Sequence, residues 1–454
     1  MTSTAVILAA GFGTRMKSTQ PKALHRIAGR SMLRHLLASC EQAFDRIVVV
    51  TGPDMAAVQR EAAPHACVVQ QERRGTAHAA LTAARYFGDG EVAVLYADCP
   101  LIRPATLRGL LQRRAAGDAA LALLAFRPAD PARYGRVMVR EGYVECIVEW
   151  LDAAEDERAE TLCNAGVLCA SAADMRRWLS EVRADNAKGE YYLTDVVARA
   201  RADNTRVVAV EAPAEELAGI NSRGELAAAE AVVQSWLRAA AMEAGVTVTD
   251  PSSVFLCADT ELAPDVTIEP NVVFGPGCVI EDDAVIHAFS HLAGAHVGKG
   301  ASVGPYARLR PGAKLGQRSR VGNFVEVKEA EIGEGAKANH LAYIGDGRVG
   351  AGANIGAGTI FCNYDGKAKH RTDVGKGAFI GSNSALVAPV KVGDNAYVGS
   401  GSVITENVPA GALALGRGRQ VNKTGWAAGQ SGKKTAAKKP KKAPKKKKKK
   451  KTKR

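Results

Sequence analysis

The spacing of hydrophobic residues changes period along this chain of 454 residues, and the changes divide it. Up to about residue 220, short apolar runs at 5–10, 47–50, 67–70 and 92–96 alternate with stretches of helical period such as 32–43 and 77–87. Short apolar runs separated by amphipathic helices predict an α/β domain of Rossmann-like type over residues 1–221, its parallel sheet covered on both faces. Residues 222–243 read as one helix without Pro, with Ser222 as its N-cap. That helix either ends the first domain or connects it to a second. The complete change of pattern after Gly245 favours a connector over 222–245.

A repeat of six residues then takes over. Val297, Val303, Leu309, Leu315 and Val321 are evenly spaced, as are Val374, Ile380, Leu386, Val392, Val398 and Ile404, and earlier Ile268, Phe274, Ile280 and Ile286. Gly often follows the aliphatic. One inward aliphatic per short strand, with small residues at the corners, predicts a left-handed parallel β-helix over 246–425. Its coils stack, because a single coil would expose its apolar face. The register breaks at 328–331, 337–348 and 361–373. Such breaks in a rigid solenoid are expected to be loops on the binding face. Residues 426–454 are Gly, Ala, Pro and Lys-rich, a composition that cannot bury a core and is expected to be disordered.

Charge alters the picture less than the formal +14 suggests. The last 22 residues hold 15 of the 61 basic residues and no acid, which leaves the rest of the chain near neutral. A basic patch for nucleic acid is therefore confined to the tail, where it is either a weak polyanion-binding segment or a solubilising one. Nine scattered Cys without a C-x-x-C pair fit reduced thiols in a cytoplasmic protein better than a disulfide framework or zinc site. The N-terminus lacks a basic n-region, and no window approaches 18 apolar residues, so neither a signal peptide nor a membrane span is read.

The first candidate chemistry follows the first strand. Gly11-Phe12-Gly13-Thr14-Arg15 is a Gly-rich turn where backbone N–H groups can approach phosphate, although such turns also serve merely as connections. No Gly-Lys-Ser/Thr follows, so it is not a P-loop, and the third Gly of the dinucleotide fingerprint is missing. Arg15 and Lys22, just beyond, suit a polyphosphate whose leaving group gains charge.

The stretch LAAGFGTRMKSTQPKAL resembles the N-terminal signature of sugar-nucleotide pyrophosphorylases. With the hexapeptide repeats, and with QQERRGTAHA, YADCPL, RYGRV, IVEW, NAGV, KGEYYLTD and GINSR, the resemblance extends over roughly residues 5–425. It is to the bifunctional N-acetylglucosamine-1-phosphate uridyltransferase / glucosamine-1-phosphate acetyltransferase family. The resemblance implies that Leu8, Ala9, Ala10, Gly11, Gln70, Gly75 and Thr76 hold UTP, with Tyr96 and Ala97 beside them. Gly135, Glu149 and Asn164 would hold the sugar, and Asp98 and Asn221 would carry Mg²⁺. Arg15 and Lys22 would stabilise the transferring phosphoryl group. The chemistry is coherent on its own terms. A sugar phosphate is already an anionic nucleophile, so no general base is needed, and the barrier is repulsion between anions. Ala97 departs from the family, which usually has Gly there; a positive φ at that position would strain it.

GNFVEVKEAEIGEGAKANHLAYIGD and NIGAGTIFCNYDG resemble the family's acetyltransferase signature. The resemblance makes His340 the general base toward an amine attacking the acetyl-CoA thioester, a task suited to an imidazole. It assigns Arg310, Lys328, Tyr343 and Asn354 to glucosamine-1-phosphate, and Ala357, Asn363, Tyr364, Ser382, Ser400 and Arg417 to acetyl-CoA. Arg310 could equally be an ordinary surface ion pair. His287, His291 and His296 lack ligand-like partners and read as structural. Family members of this kind are homotrimers, and their product feeds peptidoglycan and lipopolysaccharide synthesis. The alternative is a nucleotidyltransferase of one activity whose β-helix serves only structure or regulation. It gives no reason for His340, Tyr343 and Asn363–Tyr364 to stand together in the motif.

Overall fold

The computed structural model describes residues 2–131, 134–186 and 189–431. Lys188 of the KGEYYLTD stretch and residues 432–454 of the Lys-rich tail lie outside them. Within the tail segment, Trp426–Ser431 form a short helix, where the composition had predicted disorder from 426 onward.

The N-terminal sheet contains β1 (Ser3–Leu8), β2 (Arg46–Thr51), β3 (Ala66–Val69), β4 (Glu91–Tyr96), β5 (Leu121–Phe126), β6 (Arg136–Arg140), β7 (Tyr143–Val148), β8 (Cys163–Ser171) and β9 (Val207–Glu211). Its order is β9-β5-β8-β4-β1-β2-β3, with the β6–β7 hairpin attached to β8. The central strands are apolar on both sides and feed two cores. Ile7, Val49 and Leu95 face one layer of helices, and Val6, Val48 and Val94 face the other. The sheet is mixed, not wholly parallel as predicted: β8 runs antiparallel to both β4 and β5. A doubly buried strand is a continuous apolar run whichever way it points, so the pattern carried no direction. The chain enters β8 from the β6–β7 hairpin through a short connection holding only the four-residue helix Glu155–Arg158, too short to serve as a crossover between parallel strands.

The helix Arg223–Glu243 opens with a capping box: Ser222 Oγ accepts from Glu225 N at 3.2 Å, and Glu225 Oε2 accepts from Ser222 N at 2.7 Å. Its Ala229 and Val233 pack with Ile27, Met32 and Leu101 of the sheet region. Farther along, Gln234 exchanges two hydrogen bonds with the Leu256 backbone at 2.6 and 2.9 Å. The helix thus touches both halves of the molecule.

From Thr247 to Ala414 the chain winds as a parallel β-helix with three faces, and the aliphatics of the hexad point inward, none more than 5% exposed. Successive rungs of one face begin at Thr267, Val285, Ser302, Arg320, Lys337, Asn354 and Phe379. These numbers correct two expected loops. The segments 328–331 and 337–348 lie in the strands Glu326–Ile332, Lys337–His340 and Tyr343–Val349, paired in continuous register. Coils of 17 residues among coils of 18 shift the hexad phase without opening a loop. The break at 361–373 does lengthen a coil, between Ile360–Cys362 and Thr372–Val374. Gly333 shows why small residues sit at corners: a Cβ there would meet Ala351 N of the next coil at 2.6 Å.

Candidate active sites

The Gly-rich turn leaves β1 and passes over Lys22. Gly13 has φ +70°, and a Cβ on it would lie 2.7 Å from Lys22 Cβ, so the turn needs Gly both for its conformation and for the close approach. Beneath it is a cavity of about 270 Å³ at the C-terminal ends of β1 and β4. Leu8 at the end of β1 lines it with Ala9, Ala10 and Gly11, Gln70, Gly75 and Thr76 line it from beyond β3, and Tyr96, Ala97, Asp98 and Lys22 close it. All of these are residues singled out in the sequence. Gln70 Nε2 donates to Gly75 O at 3.1 Å, and Thr76 Oγ1 accepts from Leu193 N at 2.9 Å, which fixes the walls. Burial pushes the Tyr96 hydroxyl above the ordinary phenol range. Ala97 does not adopt positive φ, so its methyl group imposes no strain.

Lys22 Nζ lies 2.5 Å from Asp98 Oδ2 and 2.8 Å from Asn221 Oδ1. A carboxylate and an amide oxygen from distant parts of the chain thus already converge on one cation. An adjoining cleft of about 690 Å³ holds exposed Arg15 and half-buried Glu149, sharing Thr76, Tyr96 and Asp98 with the first cavity. Glu149 Oε1 accepts from Thr194 Oγ1 at 3.2 Å. Gly135 lies against Glu149, and Asn164 N donates to Gly135 O at 2.9 Å, so the three expected sugar residues form one group. Sequence reasoning missed Arg73 and Glu190, which also line the first cavity. Arg73 Nε donates to Ala10 O at 2.9 Å, and its guanidinium stacks over Phe12 at 4.3 Å. Arg73 stood in a quoted motif, but an Arg-Arg pair does not reveal which member turns inward.

The second group lies around one corner of the β-helix. His340 ends the strand Lys337–His340, and Tyr343 begins the next face. The Nδ1–H of His340 donates to Asn323 Oδ1 at 2.7 Å, from the paired position one coil earlier. That bond directs the Nε2 lone pair outward, the arrangement a base requires. Lys337, Asn354, Phe379 and Tyr397 are register partners. Three residues after each stand His340, Ala357, Ser382 and Ser400, a single column down the corner. Asn383 N donates to Ala357 O at 2.7 Å and Gly401 N to Ser382 O at 2.8 Å, tying the column together. Asn354 sits on the rung after Lys337.

Beyond the corner, Asn363 Nδ2 bonds Tyr343 OH at 3.3 Å and also Asp346. Lys328 lies 3.9 Å from Asp346, and Arg310 pairs with Glu326 at 2.8 Å. Arg310 therefore has the ordinary ion pair, on the face that also carries Lys328. Hydrogen bonding to the Lys369 amine, ahead of burial, holds Lys328 below the usual lysine range, while Lys369 is held above it. Exposed Tyr364 donates to Gly366 O at 2.8 Å. Arg417 is exposed and follows Gly416, whose N–H reaches Ser402 Oγ at 3.2 Å. Asn323 and Lys369 were missed; both depend on coil spacing that the hexad alone does not supply. Other solenoid histidines differ: His287 bonds Glu269 and Ser302 at 2.9 and 3.0 Å, His296 pairs with Glu281, and His370 bonds Asp365 at 2.7 Å.

Fold and sites together define a nucleotidyltransferase joined to a hexapeptide-repeat acyltransferase. Residues 5–166 match the MobA-like NTP transferase domain, and residues 259–294 and 371–406 match the bacterial transferase hexapeptide (six repeats). The bifunctional protein GlmU of Granulibacter bethesdensis is 64% identical over 429 residues, 94% of this chain and 95% of that protein. That of Acidiphilium cryptum is 63% identical over 428 residues, 94% and 98% of the two chains. The chain belongs to the bifunctional GlmU family. It is a bifunctional transferase, with acetyltransferase and uridyltransferase activities that yield UDP-N-acetylglucosamine in two steps from acetyl-CoA and UTP as co-substrates. The single-activity alternative is not favoured. Among solved structures, a UDP-glucose pyrophosphorylase complexed with UDP-glucose aligns with 52% of this chain and 100% of that one, at 19% identity and TM-score 0.43.

Proposed function

We propose that uridylyl transfer from UTP to N-acetylglucosamine-1-phosphate takes place in the cavity under the Gly-rich turn, and acetyl transfer to glucosamine-1-phosphate at the His340 corner. The observation that carries this division is the convergence of Lys22, Asp98 and Asn221 at the edge of one cavity, far in the chain from the His340–Asn323 pair. In the first centre the turn and Gln70 hold the nucleotide, while Glu149 and Asn164 orient the sugar. The sugar phosphate oxygen attacks the α-phosphorus and pyrophosphate leaves. Arg15 and Lys22 offset the charge gathering on the phosphates.

Asp98 and Asn221 fit Mg²⁺, which takes one or two protein oxygens and completes its shell with phosphate and water. Their oxygens already meet at a cationic nitrogen. A metal held there would supply positive charge to offset that on the phosphates.

In the second centre, His340 Nε2 takes a proton from the amine as its nitrogen bonds the acetyl carbon and the C–S bond breaks. Arg310 and Lys328 face the sugar phosphate, Tyr343 and Asn354 the sugar. Asn363, Tyr364 and the Ala357–Ser382–Ser400 column, with Arg417, take acetyl-CoA. A homotrimer is supported by the exposed stack of Phe289, Tyr306 and Phe324 on the corner that carries His340, with centroid spacings of 4.9 and 5.2 Å. A neighbouring solenoid would cover it. We read the division as residues 1–221, 222–245 and 246–425, and place the enzyme in the cytoplasm. Nine free cysteines support that compartment, and no helix among the described residues is long and apolar enough to cross a membrane. The tail would bind polyanions weakly at most.

An assay with glucosamine-1-phosphate, acetyl-CoA, UTP and Mg²⁺, following free thiol and pyrophosphate separately, tests this reading. Both should appear, with pyrophosphate dependent on acetyl-CoA. Pyrophosphate from N-acetylglucosamine-1-phosphate with no thiol under any condition would reduce the β-helix to a scaffold.

A further inference from the structure

Lys22 stands between the two residues proposed to hold the metal. Its ammonium is 2.5 Å from Asp98 Oδ2 and 2.8 Å from Asn221 Oδ1, with side-chain exposures of 17% for Lys22 and 21% for Asp98. The three come from separate places. Lys22 follows the Gly-rich turn, Asp98 ends β4, and Asn221 immediately precedes the capping box of the helix Arg223–Glu243, its N–H donating to Glu225 Oε2 at 2.6 Å. Ile220 N donates to Asp98 O at 2.8 Å, so the backbones beneath the two oxygens are already fastened together. A divalent ion bound by both oxygens would lie within a few ångströms of the present ammonium. Two cations that close in a half-buried site repel strongly.

We infer that Lys22 is the resident counter-ion of the metal site: it holds Asp98 and Asn221 converged before the metal arrives, and metal binding expels its ammonium toward the phosphates. This rests on the proposed role of Asp98 and Asn221. Lys22 lines the nucleotide cavity alongside Gly11, and its stem is gripped by the turn at Gly13, so the ammonium can swing about a fixed stem into that cavity. Loading of the metal and arming of the phosphate-stabilising cation then become one event. A metal-free site stays neutralised and keeps its shape.

The direct test is binding of Mn²⁺ to the full chain without nucleotide, read by electron paramagnetic resonance of the free ion. Competition with Lys22 predicts that Lys22→Met binds Mn²⁺ about tenfold tighter than the unaltered chain, or more. Adding Asp98→Asn to that variant should abolish the gain. Equal affinity with and without Lys22, while Asp98→Asn still weakens binding, overturns the inference and leaves the metal site standing. Binding that ignores Asp98→Asn overturns both. Thermal melting reports whether each variant folds, and Lys22→Gln, shorter but polar, gives the same comparison should Lys22→Met fail to fold.

Discussion

The two proposed centres are assembled in opposite ways. The uridylyl centre gathers Lys22, Asp98 and Asn221 from points 76 and 199 residues apart, brought together by the adjacency of β1 and β4 and by the Ile220–Asp98 backbone bond. The acetyl centre takes His340, Ala357, Ser382 and Ser400 from one column, where distance along the chain converts into distance down the prism through the length of a coil. A sheet can shift its loops and retune one site residue at a time. A solenoid repeats its corner: a one-residue difference between coils is absorbed there with the ladder in register, whereas a longer insertion has to be extruded, as it is between Ile360–Cys362 and Thr372–Val374.

The largest effects should separate the centres cleanly. Replacing His340 by Ala is expected to slow acetyl transfer about 10²–10⁴-fold, the usual worth of a positioned base, with uridylyl transfer nearly unchanged. Asp98→Ala should do the reverse. Steady-state rates of thiol and pyrophosphate release, measured on each variant, check both. Next in size is Asn323→Ala. Losing the acceptor that fixes the His340 ring should lower kcat for acetyl transfer about tenfold, with KM for glucosamine-1-phosphate held. Asn323→Asp, which keeps an acceptor, should recover most of the loss, and a lack of recovery would make Asn323 merely structural. The smallest effect is expected at Arg73, whose removal should raise KM for UTP about three- to fivefold with kcat unchanged, since one charged contact to the turn is lost.

Much of this was legible in the sequence. Every aliphatic of the hexad is buried, because inward positions of a solenoid tolerate little else. The end of β1 with Gly11 and the segments that follow β3 and β4 line one cavity, because strand ends in open α/β sheets are where ligands settle. The direction of β8 was not legible, since a doubly buried run has no polar face to orient it. Nor were the expected loops at 328–331 and 337–348 right. A six-residue template registers a 17-residue coil as a break, while the hydrogen-bonded ladder absorbs it at the corner. Asn323 escaped notice for the same reason: its partnership with His340 becomes visible only when the coil length is known. Arg73 and Glu190 lie in segments whose side-chain directions depend on neighbouring loops.

The central claim, two separate centres working in sequence, is tested most directly by mixing the His340→Ala and Asp98→Ala variants and supplying glucosamine-1-phosphate, acetyl-CoA, UTP and Mg²⁺. Neither variant alone should make UDP-N-acetylglucosamine. Their mixture should, because the Asp98 variant releases the acetylated sugar phosphate that the His340 variant uridylylates. A mixture that stays inactive, although both proteins fold and each performs its remaining step, would contradict the account.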